Sequence, residues 1–169
     1  AGDQSALTEL EQRGMTLFGG KAGCTQCHDR AELTVATVSR DKSLEGFRNI
    51  GVRPLAEDGG DVLQAGQAKF KIPGLRNVEL RGPYFHTGKT LSLRQVVEFY
   101  NRGGDFPDAF TDGQIKPRGL SSGEVRAITA FLLSLTDDRV RFERAPFDRP
   151  AISIPSLGTL KAVGAEGRT

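Results

Sequence analysis

Apolar positions recur at helical spacing in three short stretches, and a long region between them shows no such period. The first stretch predicts a helix over Thr8–Phe18. Thr8-Glu9-Leu10-Glu11 is a capping box, Leu7, Leu10, Gly14 and Leu17 share one face, and Gly19-Gly20 ends it. The second predicts a helix over Leu93–Arg102. Ser92 and Gln95 box its start, Gly103 supplies a left-handed cap, and Leu93, Val96, Val97 and Tyr100 form the buried face. The third predicts Gly123–Thr136, with Ser121 as cap, Glu124 completing the box and Leu120 with Val125 as a hydrophobic staple. Val125, Ile128, Phe131, Leu132 and Leu135 are its apolar face.

Between Asp29 and Gly82 the chain carries Gly, Pro and charge clusters. A loop of that length in a compact domain is functional or wraps a partner or cofactor. Asp58 and Asp61 match no EF-hand spacing, which makes a solvated turn the better reading of that segment. After Thr136 the text becomes charged and then apolar without period. Residues 137–169 read as an extended C-terminal arm following a haem domain of residues 1–136, with Phe142, Phe147, Ile152 and Ile154 arguing against a disordered tail.

Composition narrows the function classes. With 23 basic and 21 acidic residues among 169, the net charge of +2 gives no footing for nucleic acid or an anionic membrane surface. No apolar run approaches the ~20 residues a membrane span needs. No signal-peptide pattern is read in the sequence, and its Ala1-Gly2-Asp3 start would suit a mature or a processed N-terminus.

Both cysteines of the chain lie in Gly23-Cys24-Thr25-Gln26-Cys27-His28. C-x-x-C-H is the run that attaches haem c through two thioethers and offers the histidine as axial ligand. Zinc would need two further Cys or His ligands, and only His86 is left to add. A thioredoxin-like motif would need a βαβ context that the pattern lacks. One covalent haem c is the expected cofactor. Haem c is normally attached outside the bacterial cytoplasm, so the expected location is periplasmic.

The iron's second axial ligand decides what the haem does. The candidates are Met15, His86, Tyr84, Tyr100 and the lysines. Met15 precedes Cys24 by nine residues, whereas small cytochromes take methionine from a loop far downstream. His86 would give ordinary bis-histidine ligation or serve as a hydrogen-bonded histidine near the haem. Tyr100 sits on an apolar helix face, and tyrosine is an accepted ligand that ferric iron can hold as phenolate. Residue types alone leave His86 and Tyr100 open.

Several segments in order, "LFGGKAGCTQCH", "FRNIGV", "FKIPGLRNVELRGPYFHTG", "LRQVVEFYNRGG" and "LSSGEVRAITAFLLSLT", resemble the C-terminal haem domain of the bacterial di-haem cytochrome c peroxidase/MauG family. "RFERAPFDRP" resembles the C-terminal extension of the larger MauG-like proteins. The resemblance implies a mainly α, class I cytochrome c-like domain with long haem-wrapping loops. The peroxidases carry a methionine ligand fourteen residues after the histidine of the "PYFH" segment, where MauG carries tyrosine. Fourteen after His86 is Tyr100, so the resemblance implies Tyr100 with His28 as iron ligands and His86 as a neighbour. It also implies a calcium ion shared with a partner domain, held in part by the carbonyls of Arg81 and Pro83.

The departures bear on function. The family has two haems and a tryptophan between them, whereas this chain has one C-x-x-C-H and no tryptophan. It reads as half of a two-haem assembly that transfers electrons while peroxide is activated at the other haem. The expected partners are a second haem-bearing domain or subunit and an electron donor or substrate protein. An independent mono-haem carrier is the alternative.

Overall fold

A computed structural model describes residues 6–37, 46–60, 66–148, 151–156 and 158–162. They group into two compact units, one ending at Leu135 and the other beginning at Thr136. The first unit is helical: α1 is Glu9–Gly19, α2 is Leu93–Arg102 and α3 is Ser122–Ser134. All three helices start on a reciprocal capping box, in which the Ser or Thr oxygen accepts from the third helical N–H and the Glu or Gln accepts from the cap N–H. Gly103, at φ +87°, ends α2 with its N–H donating to the carbonyls of Phe99 and Tyr100. α3 stops two residues before the expected end, with Leu135 as its cap.

The core forms where α1 crosses α3. Gly14 makes the crossing possible: a Cβ there would lie 2.0 Å from the Ala127 carbonyl oxygen. The Phe18 and Phe131 rings meet edge-on at 5.3 Å, and Val78, Leu93, Val97, Ile128 and Leu132 are among the residues packed with them. This close approach sets which face of α1 is covered. Gly14 and Phe18 are buried, while Leu10, expected on the inner face, is 36% exposed.

From Asp29 to Gly82 the described residues form short 3₁₀ turns and one minimal sheet, Phe47–Arg48 (β1) antiparallel to Phe70–Lys71 (β2). Asn49 fastens these loops. Its side-chain N–H groups donate to the Gln67 carbonyl and the Asp108 carboxylate, and its side-chain oxygen accepts from the Gly51 N–H at 2.8 Å. One buried amide thus ties three loops.

The second unit is more structured than an extended arm. It holds a one-turn helix, Asp138–Arg141 (α4), and a hairpin of Ile152–Ile154 (β3) with Gly158–Leu160 (β4). Asp137 caps the helix, its side chain accepting from the Arg139 N–H. Positive φ at Ser156 and Gly158 turns the hairpin. Among the described residues no helix is long and apolar enough to cross a membrane.

Candidate functional site

The C-x-x-C-H run begins at Gly23 with φ +67°, where a Cβ would lie 2.8 Å from the Arg118 guanidinium. The 3₁₀ turn Cys24–Gln26 follows. Three residues per turn bring Cys24 and Cys27 to the same side, and the His28 N–H donates to the Cys24 carbonyl at 2.8 Å. The two thiols are free. Burial pushes the Cys24 thiol up to about 11 and raises Cys27 as well, against a smaller opposing pull from Arg118 and Arg48.

The His28 ring is held in one orientation. Its Nδ1 lies 3.0 Å from the Leu33 carbonyl oxygen. A carbonyl only accepts, so Nδ1 carries the hydrogen and Nε2 keeps its lone pair. Burial lowers the ring's proton affinity, opposed by the Leu33 and Pro73 carbonyls, which favours the neutral form that ligation needs.

α2 delivers Tyr100 to the same place. Cys24, Cys27, His28 and Tyr100 line one cavity of about 540 Å³, walled by Phe18, Ile72, Val78, Leu93 and Val97 among others. That volume is in the range of small-molecule and cofactor sites, and the wall is mostly apolar as such sites require. Burial, and then the two cysteines, push the Tyr100 phenol above its ordinary value. Its hydroxyl makes no hydrogen bond among the described residues, and its ring is held by Phe99 at 5.2 Å and Phe85 at 6.2 Å. An apolar cavity bearing two thiols, an oriented imidazole and a phenol fits a covalently held haem.

His86 stands at the rim with its side chain 24% exposed. Its ring stacks on Phe70 at 3.8 Å and its Nε2 lies 2.9 Å from Asp58 Oδ2. Asp58 therefore corrects the sequence reading: it is buried against His86 instead of facing solvent in a turn. Asp61 lies outside the described residues. Met15 is 48% exposed and takes no part in the cavity wall. Arg81 and Pro83 do line the cavity. Among the described residues no group of three or more His, Cys, Asp or Glu could hold a metal ion. Sequence reasoning missed Phe85, Phe70 and the two arginines beside the thiols. The left-handed backbone of Phe85 and the stack of Phe70 on a residue 16 positions away leave no mark on local pattern.

No protein-family model matches the chain. It is 34% identical over 164 residues to cytochrome-c peroxidase IdrP1 of Denitromonas iodatirespirans, covering 81% of this chain and 43% of that protein. It is 34% identical over 134 residues to methylamine utilization protein MauG of Methylorubrum extorquens, covering 79% and 36%. Among solved structures, a MauG-like protein associated with microbial copper homeostasis superposes with a TM-score of 0.66 at 31% identity, covering 83% of this chain and 50% of that one. The chain is thus similar, over part of their length, to the class of cytochrome-c peroxidases and MauG proteins. It belongs to the bacterial di-haem cytochrome c peroxidase/MauG family. It spans less than half the length of these two curated relatives.

Proposed function

We propose that this chain is an electron-transfer domain carrying one covalent haem c, and that it works as the C-terminal half or subunit of a di-haem peroxidase or MauG-like enzyme. The observation that carries the reading is the meeting of Cys24, Cys27, His28 and Tyr100 on one apolar cavity. When bound, the haem supplies a reversible one-electron ferric/ferrous couple. Cys24 and Cys27 would hold it as thioethers. His28, its ring fixed through Nδ1 by the Leu33 carbonyl, would offer Nε2 to the iron. Tyr100 would offer its phenol oxygen from α2, and the apolar wall would keep water away. His86, engaged by Asp58, is a neighbour of the haem and not its ligand.

A domain closed in this way relays electrons and leaves peroxide to a second haem on another domain or chain. The same reading places the protein in the periplasm, residues 137–169 as a C-terminal appendage to the haem domain, and calcium at the interface with the partner domain, held in part by the Arg81 and Pro83 carbonyls. The test is the purified assembly: intact mass plus a haem stain on every band. The reading expects one acid-stable haem on this chain and a second haem-bearing chain or fragment beside it. This chain alone, active as an electron carrier, identifies an independent mono-haem protein instead.

A further inference from the structure

We infer that Phe85 is the positioning residue that holds Tyr100 across the axial site, so that the loop over residues 82–90 sets how firmly that site is closed. The inference rests on the reading of Tyr100 as a ligand.

Phe85 has φ +60°. A bulky residue is a genuine outlier in that left-handed region, and such strain persists only where its surroundings over-determine it. Here they do. The Tyr84 N–H donates to the Thr90 carbonyl at 2.7 Å, and the Gly88 N–H donates to the Phe85 carbonyl at 3.2 Å. The Tyr84 hydroxyl donates to the Glu79 carbonyl, and His86 is tied to Asp58. Both neighbours of Phe85 are fastened, and its ring is carried into the cavity.

The ring's destination separates this arrangement from ordinary core packing. Phe85 belongs to an aromatic trio with Phe99 and Tyr100, apart from the main core cluster. Phe99 is the next residue to Tyr100 on α2 and moves with it, so it cannot fix Tyr100 against the rest of the protein. With no hydrogen bond at the hydroxyl, the ring contact from Phe85 is the aromatic restraint that arrives from another segment. Phe85 also meets Phe99 at 4.7 Å, which locks the loop to the helix that bears the ligand.

The test uses the haem-loaded chain with Phe85→Ala, Phe85→Gly, Phe85→Tyr and Tyr100→Phe. Spin state is read from the ferric absorption spectrum, and access to the iron from the rate of cyanide binding. Phe85→Ala and Phe85→Gly should each add a high-spin fraction and speed cyanide binding about tenfold, in proportion to the fraction of molecules with the phenol withdrawn. Phe85→Tyr, which keeps the ring, should restore both readouts, and Tyr100→Phe should exceed them. Phe85→Gly also relieves the backbone, so it should melt higher than Phe85→Ala while matching it in cyanide rate. Cyanide rates that follow melting temperature and not the presence of the ring would overturn the inference. So would wild-type spectra and rates in both ring-deleted variants while Tyr100→Phe changes them, and in that case the ligand reading stands. No change in Tyr100→Phe would bring down the ligand reading itself.

Discussion

His86 Nε2 sits 2.9 Å from Asp58 Oδ2, joining the rim of the cavity to a carboxylate that is 7% exposed. The pair spans 28 residues and ties the Leu55–Glu57 turn region to the loop that carries Phe85. Removing the imidazole leaves a buried carboxyl without its side-chain partner. His86→Ala should lower stability by about 1–3 kcal/mol in denaturant unfolding. The ferric spectrum of the haem-loaded variant should change no more than that of Phe85→Ala, through the loosened loop. A change as large as that of Tyr100→Phe would make His86 the ligand.

Phenolate is a hard anionic donor that favours ferric over ferrous iron, whereas methionine favours the reverse. Tyr100→Met should therefore raise the reduction potential, by a sizeable part of the ~0.8 V that axial ligands command. Spectroelectrochemical titration of the variant beside the parent measures it, and an unchanged potential would show that Tyr100 is not bound to the iron.

At the helix crossing, Gly14→Ala pits two effects against each other. Alanine gains about 1 kcal/mol of helix propensity. Its Cβ would lie 2.0 Å from a backbone carbonyl that cannot rotate away, so the helices must separate. Overpacking of this kind costs about 1–3 kcal/mol and more where backbone must move. The net should be destabilising. Gly19→Ala, whose nearest atom is 3.9 Å away, is the control and should be neutral or slightly stabilising.

Glu124 holds the start of α3 by accepting from the Ser121 N–H and pairing with Lys21 at 2.8 Å. The Lys21 hydrogen bond, then the Ser121 N–H, depress its carboxyl from the ordinary 4.5 to about 2. A depressed carboxyl contributes stability above pH 4.5, and this is lost as pH falls toward 2. Glu124→Gln should therefore lower the melting temperature at pH 7, leave it nearly unchanged at pH 2, and flatten the acid limb between them. Added salt should shrink the difference at pH 7, because the Lys21 end of the pair is exposed.

Helix starts were legible because each is written in four consecutive residues: Thr8 to Glu11, Ser92 to Gln95 and Ser121 to Glu124 all form the expected boxes. The inward face of α2 was legible from its period, which carries Tyr100 to the cavity. The inner face of α1 was misjudged at Leu10, because the crossing angle follows from a glycine's missing atom and not from hydropathy. Asp58 was misread for a related reason. Its partner lies 28 residues on, and a charged residue among glycines looks solvated until the fold supplies an imidazole. The β3–β4 hairpin was hidden by its brevity, with three residues a side and mostly exposed side chains.

Asn49 commits both N–H bonds and the oxygen of its amide to three loops. A wall built this way has its information concentrated at one point and can be rewritten elsewhere. Segments between the anchor points can change length or sequence as long as Gln67, Asp108 and Gly51 still present the same carbonyl, carboxylate and N–H to that amide. Such an arrangement lets a lineage reshape the approach to its cofactor without redesigning the helices beneath. It also makes Asn49 the position where a single inherited change, even to aspartate, would undo three loops at once.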